Sequence, residues 1–468
     1  MSAALHIPEA TTPNAQLHED FGPRLHTALP GPNAAAIIAR DEALMSPSYT
    51  RDYPLVVQSG RGCRLTDVDT NEFLDFTAGI AVNSTGHCHP EVVVAIQAQA
   101  AKFLHMSGTD FYYDLMPRVA ERLSALAPMA GPHKFYYGNS GAEAVECALK
   151  LARYHTGRQH IISFLGSFHG RTMGALSLTA SKPQQKRRFG PFVPGVTHVR
   201  YPYVYRGCSG GPQAAEAFGL GCARYIEDKL FKTHLPPEEV AAIIVEPIQG
   251  EGGYVVPPNI FLEEIRRICD RHGILMIVDE VQSGAGRTGK WTAIEHTGVQ
   301  PDIVTMAKGI ASGMPLSVCM AKAHIMDWVP GSHASTFGGN PVALAACLAT
   351  IEIIEREAMT NAATVGTAAI ERLQTWVSED GVGKHPIVGD VRGRGLMIGV
   401  EIVKDTITRT PAPDLRNRIV DLAFERGLLL LGCGETSIRL CPPLVVKPEE
   451  MEVALDILEE CIIIAAHN

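Results

Sequence analysis

The sequence predicts an α/β protein: a large domain built on a mostly parallel sheet with helices on both faces, and a smaller α+β domain beside it. Three features carry this prediction. From about Leu115 to Thr350 short apolar runs alternate with helical segments, as strands joined by crossover helices do. Several runs, above all Ile274–Val278 and Ile303–Met306, are β-branched and unbroken, as expected of strands buried on both faces. After about Asn361 the pattern changes to a long helix, a Gly-rich corner at Gly389–Gly399 and strands near Leu396–Ile402 and Ile438–Leu440.

Taken in order, the chain divides into four parts. Residues 1–50 are rich in Ala, Pro and His with little periodicity, which predicts an arm lying over the body or over a partner subunit. Residues 51–114 hold short alternating runs, Arg64–Val68 and Phe73–Phe76, punctuated by Gly60, Gly62 and Asp69–Asn71. They read as a small antiparallel unit followed by a helix over Glu91–Leu104. Residues 115–350 form the large domain, with strands at Lys134–Tyr137, Ile161–Phe164, Ile243–Val245 and the two runs above, and helices at Ala142–Tyr154 and Phe261–His272. Pro202–Pro212 reads as an irregular excursion, with a helix over Cys222–Phe231 leading back to the sheet. Residues 351–468 complete the smaller domain.

Composition narrows the function. The 468 residues are 46% hydrophobic and 19% charged, ordinary for a soluble enzyme, and the formal net charge of -9 disfavours nucleic-acid binding. Apolar stretches are broken well before bilayer length and the N-terminus carries no signal-peptide pattern, so a cytoplasmic location is expected. The 11 cysteines are scattered singly, which argues against a disulfide framework or a zinc site. His87-Cys88-His89 could suggest a metal, but adjacent ligand types seldom face one ion, and a tight turn before a helix opened by Pro90 is the simpler reading.

The first buried run ends in Asp279, Glu280 and Gln282, and the second ends at Lys308. Ligands of parallel sheets gather at the carboxyl ends of the strands, so a carboxylate and an amine from neighbouring strands could grip one cofactor. A buried lysine has a readily depressed pKa and can form an imine with an aldehyde. Alone this says little, since most lysines after a strand are solvated and many strand-end acids only cap loops. Tyr137-Gly-Asn-Ser-Gly-Ala-Glu adds an anion site where a strand turns into a helix. Ser140 and Glu143 also make a capping box, and the two readings are compatible.

These motifs, with Ile243-Ile-Val-Glu-Pro-Ile-Gln-Gly-Glu-Gly-Gly, Gly286-Arg-Thr-Gly, Phe168-His-Gly-Arg-Thr and Ser335-Thr-Phe-Gly-Gly-Asn, occur in one order beyond about Leu55. Together they resemble the class III, ornithine/4-aminobutyrate/acetylornithine type, pyridoxal-phosphate aminotransferases. The resemblance implies fold-type I and a homodimer with shared active sites, inactive as a monomer. It implies that Lys308 holds pyridoxal phosphate through its amine and, once displaced, moves the proton between substrate and cofactor carbons. Asp279 would pair with the pyridinium nitrogen, Gln282 with the phenolic oxygen, and Phe168 would stack on the ring. Ser140, Gly141 and Ala142 would cradle the phosphate, reached by Thr336 from the second subunit. Many relatives carry Ser or Thr where this chain has Ala142, so a hydroxyl contact is missing there.

For substrates, the resemblance implies that Arg439 binds the α-carboxylate of glutamate and 2-oxoglutarate, and Arg171 a distal carboxylate. Glu246 matches the family's switch residue and would pair with Arg439 while an ω-amino acid occupies the site. Ile80 stands where 4-aminobutyrate enzymes tend to have Ile and ornithine enzymes Tyr, which favours 4-aminobutyrate as donor and 2-oxoglutarate as acceptor. Ornithine or acetylornithine is the alternative donor, and a racemase or epimerase of the same fold is a further alternative. A non-catalytic binding protein is the least supported reading, with Lys308, Asp279 and Gln282 all present.

Overall fold

The computed structural model describes residues 15–377 and 384–467. Alternating side chains explain its central layer. All six residues of Val240–Val245 are buried, because Ile243 and Val245 face one helical layer with Met276, Val278 and Phe261, whereas Ala242 and Ile244 face another with Ile277, Val145 and Leu149. Helix Asn259–His272 covers the first face through Phe261, Leu262, Ile265, Ile268 and Cys269, a single apolar stripe, and stops at Gly273 in the left-handed conformation. Helix Gly141–Thr156 covers the second.

In chain order the strands are β1 Val57–Arg61, β2 Arg64–Asp67, β3 Glu72–Asp75, β4 His133–Gly138, β5 His160–Phe164, β6 Val196–Val199, β7 Val240–Val245, β8 Leu275–Asp279, β9 Ile303–Met306, β10 Ser317–Lys322, β11 Val388–Arg394, β12 Met397–Ile402, β13 Leu428–Leu429, β14 Leu431–Cys433 and β15 Ser437–Leu440. The largest sheet runs β4-β10-β9-β8-β7-β5-β6. Its pairings are parallel except for β10, which is antiparallel to both neighbours. β4 therefore points the same way as β9, and the carboxyl ends of β4, β5, β7, β8 and β9 all meet at one edge. A second sheet, β11-β12-β15-β14, is antiparallel. In the third, β1-β2-β3-β13, strand β13 from the later part of the chain lies parallel to β3 from the earlier part.

The structure departs from the sequence reading in several places, among them the expected Gly-rich corner at Gly389–Gly399, where Val388–Arg394 is strand β11. β6 and β10 are strands where none is expected, and the helix expected over Cys222–Phe231 runs from Pro212 to Tyr225 and continues as a π-helical turn. Part of the predicted arm is helical, Ala15–Phe21 and Pro32–Leu44. His18 Nε2 lies 3.0 Å from Asp456 on the C-terminal helix Pro448–Ala466. Residues 1–14 of that arm lie outside the described residues. His87-Cys88-His89 leads into the helix Pro90–Ala100 with Pro90 in its first turn, and His87 Nε2 sits 2.7 Å from Asp75. Among the described residues no helix is long and apolar enough to cross a membrane.

Candidate active site

Five loops leave the same sheet edge and carry Ser140 after β4, Phe168 after β5, Glu246 after β7, Asp279 at the end of β8 and Lys308 after β9. All five residues line one cavity of about 440 Å³. The register sets the central pair: Asp279 stands opposite Thr305 on β9, three residues before Lys308.

Asp279 is 3% exposed and fixed by three donors. Its Oδ1 accepts the Val281 N–H at 3.0 Å and the Thr305 hydroxyl at 3.2 Å, and its Oδ2 lies 2.7 Å from His169 Nδ1. A buried carboxylate held this way cannot rotate freely, and it presents negative charge where a protonated ring nitrogen could lie. Lys308 opens a short helical turn with φ 47°, a left-handed conformation that is costly for a residue with a Cβ. Burial lowers the pKa of its amine and Arg439 adds to the effect, while Glu251, Asp279 and Glu246 oppose it. A larger neutral fraction makes the amine a better nucleophile and base.

The loop read in the sequence as an anion site turns from β4 into a capped helix. Ser140 caps the helix Gly141–Thr156 in a capping box with Glu143, whose carboxylate also takes the N–H of Asn139. The first-turn N–H groups of Gly141 and Ala142 then have no intrahelical acceptor, and with the Ser140 hydroxyl they border the cavity. A Cβ on Gly141 would sit 2.7 Å from Val281, so glycine lets this helix end press against the Asp279 loop. Gln282 is 8% exposed and its Oε1 lacks a hydrogen-bond partner among the described residues. The Gln282 side chain also belongs to the wall of the cavity. Phe168 forms part of the wall, with the Arg171 guanidinium 5.0 Å above its ring. Helix-end N–H groups, an aromatic wall, a carboxylate and an amine around one cavity together fit pyridoxal phosphate.

The expected pairing of Glu246 with Arg439 is not what the structure has. Arg439 binds Glu251, five residues further along the same loop. Glu246 points into the cavity and accepts the Phe168 and Gly250 N–H groups at 2.9 Å each, so both its oxygens hold loops in place. Burial raises its pKa to about 7, and the nearby Asp279 adds to this, so it is a poor standing counter-ion near neutrality. Glu251 is likewise pushed up by burial, but Arg439 and Lys182 outweigh that and hold its carboxyl below the usual range. The turn through Gly250, closed by the Gln249–Val255 bridge, carries Glu251 round to the Arg439 side.

Arg439 and Arg171 line a second cavity of about 840 Å³, which shares Phe168 and Lys308 with the first. Arg171 has no acidic partner among the described residues. Ile80 lines the same channel, in a left-handed turn with φ 69°. Thr336 is exposed on the turn before Asn340 and lines neither cavity of its own chain. Sequence reasoning missed His169 and Glu251 as functional candidates. Both lie inside motifs it singled out, and only the fold distinguishes them from their neighbours.

Residues 45–462 match the family described as aminotransferase class-III. The chain is 40% identical to an alanine/serine racemase of Pyrococcus horikoshii over 94% of its length and 92% of that protein. It is 37% identical to a 5-aminovalerate aminotransferase of Pseudomonas aeruginosa, over 91% of its length and 97% of that protein. The solved structure of an amine transaminase from an uncultivated Pseudomonas species, in its pyridoxal-phosphate-bound form, superposes with a TM-score of 0.82 at 33% identity, covering 90% of this chain and 98% of that one. Similarity of this extent, on a fold that gathers Lys308, Asp279 and the helix-end cradle at one edge, places the chain in the class-III aminotransferases as a pyridoxal-phosphate-dependent transaminase.

Proposed function

We propose that this transaminase passes the amino group of an ω-amino acid, with 4-aminobutyrate favoured, to 2-oxoglutarate, giving glutamate. The observation that carries the reading is the Arg439–Glu251 pair, set in a channel where Arg171 has no acidic partner among the described residues. With 4-aminobutyrate, Arg171 takes the one carboxylate and Arg439 keeps Glu251 as its counter-ion, which spares an uncompensated buried charge. With glutamate or 2-oxoglutarate, the α-carboxylate displaces Glu251 from Arg439 while Arg171 holds the distal carboxylate. Ile80 supports the choice of donor, since an apolar wall offers no partner for the second amino group of ornithine.

Bound pyridoxal phosphate supplies a carbonyl that condenses with amines and a ring that accepts electrons. Ser140, Gly141 and Ala142 would hold its phosphate, Asp279 its ring nitrogen, Gln282 its phenolic oxygen and Phe168 one ring face. The Lys308 amine would hold it until a substrate amine arrives, and would then move the proton between the substrate carbon and the cofactor carbon. Glu246 keeps the Phe168 loop in position. In this reading two copies pair, with Thr336 of each reaching the other's phosphate cradle. Exposed Leu104 and Phe337, brought together where Asn340 bonds the Leu104 carbonyl and His105 meets the Phe337 ring, supply apolar surface next to Thr336 for that pairing. A reducing, cytoplasmic location fits the unpaired state of all 11 cysteines.

Racemisation is the second reading, favoured by the likeness to the alanine/serine racemase: with Lys308 as the base, a proton would return to the carbon it left, on either face. A donor panel with 2-oxoglutarate, run beside a chiral assay on single L-amino acids, separates the two. Glutamate forms from 4-aminobutyrate on the present account. Faster turnover of ornithine or acetylornithine would move the donor, and D-amino acid formed without an acceptor would replace the reading.

A further inference from the structure

We propose that Lys182 is a positioning residue for Glu251: it holds that carboxylate when an α-carboxylate takes over Arg439, and thereby sets how tightly dicarboxylates bind. The inference deepens the proposed function and rests on its two-arginine reading. Glu251 is held from opposite sides, Oε1 by Arg439 and Oε2 by Lys182 Nζ at 3.7 Å. The two cations differ in setting. The Arg439 side chain is 5% exposed at the inner end, whereas that of Lys182 is 38% exposed on the channel wall with Gln184 and Gln185. Lys182 is placed there by the short helical turn Pro183–Gln185, which Ser181 closes through Gln185 Oε1 at 2.6 Å.

Opening the Arg439–Glu251 pair has a cost that Lys182 can offset. Without a second partner, Glu251 would be left as an unpaired, largely buried carboxylate facing an incoming dianion. Lys182 already sits on the other oxygen, so the carboxylate can leave Arg439 and stay paired. A monocarboxylate that binds Arg171 alone leaves the Arg439–Glu251 pair closed and makes no demand on Lys182. The lysine therefore affects ligands with an α-carboxylate, or its equivalent, and spares the others.

Calorimetric binding of two unreactive ligands to the holoenzyme tests this: glutarate, which spans both arginines, and butyrate, which needs only Arg171. Lys182→Met weakens glutarate by about fivefold, the scale of one partly screened ion pair. It leaves butyrate unchanged, and Lys182→Arg restores glutarate binding. In a Glu251→Gln background the effect of Lys182→Met disappears. A loss that persists there means that Lys182 touches the ligand directly, and equal losses for both ligands mean a general field; either result, or no loss at all, overturns the proposal. If 4-aminobutyrate is not a donor, the ω-amino reading falls by itself, while coupling of Lys182 to Glu251 in glutarate binding still decides the role of the lysine.

Discussion

Asp279 illustrates how much one side chain depends on a neighbour. Its bond to His169 joins two buried groups, and His169 Nε2 has no other partner among the described residues. The histidine thus serves to aim the carboxylate. His169→Phe removes a charge-assisted hydrogen bond, so cofactor affinity falls by about tenfold, roughly 1.4 kcal/mol. Equilibrium dialysis of pyridoxal phosphate measures it, and unchanged affinity would refute the orienting role. Legibility at this scale was mixed. Asp279 and Lys308 could be read because each ends a buried apolar run, and a polar residue at such a point faces the sheet edge. Glu246 and Glu251 could not be told apart, since both belong to one motif and the turn at Gly250 decides which faces Arg439.

Among elements, strands buried on both faces were the most legible. β9 spans the predicted Ile303–Met306, and β8, Leu275–Asp279, is offset by one residue from the predicted run. Period and length suffice there because both faces demand apolar side chains. β6 was missed because it is a short edge strand, Val196–Val199, with only Val199 buried. The smaller antiparallel sheet carries a charge network that no periodicity could reveal. Glu401 on β12 meets Arg392 from β11 at 2.8 Å, Ser437 from β15 at 2.6 Å, and Arg206 from the helical turn Val204–Gly207. Burial pushes the Glu401 carboxyl up, but Arg392, Ser437, Tyr203 and Arg206 outweigh it and bring the pKa down to about 2. The unfolded carboxyl, near 4.5, binds protons more readily than the folded one, so this stabilisation is complete above about 4.5 and fades as pH falls towards 2. It amounts to something on the order of 3 kcal/mol. Urea unfolding of the native chain and of Glu401→Gln should therefore differ most at pH 6 and converge towards pH 2. A difference that does not change with pH would contradict the network's role.

In the molecule as a whole, the fold supplies what the order of motifs cannot. Ser140, Phe168, Glu246, Asp279 and Lys308 are far apart in sequence and meet because five strands point the same way. β10 achieves this by running backwards between β4 and β9, which puts Ser140 on the same edge as Lys308. The channel then adds its arginines from the loop after β5 and from β15, and in the proposed function the large sheet would provide the chemistry and the smaller one would help to select what reaches it.

The central claim is that the amine of Lys308 is the one that holds the cofactor. Borohydride reduction of the loaded enzyme, followed by peptide mass mapping, tests it most directly. One pyridoxyl group per chain is expected, on Lys308, and none in Lys308→Ala, which should also lose turnover. A label on any other lysine, or native turnover in Lys308→Ala, would contradict it.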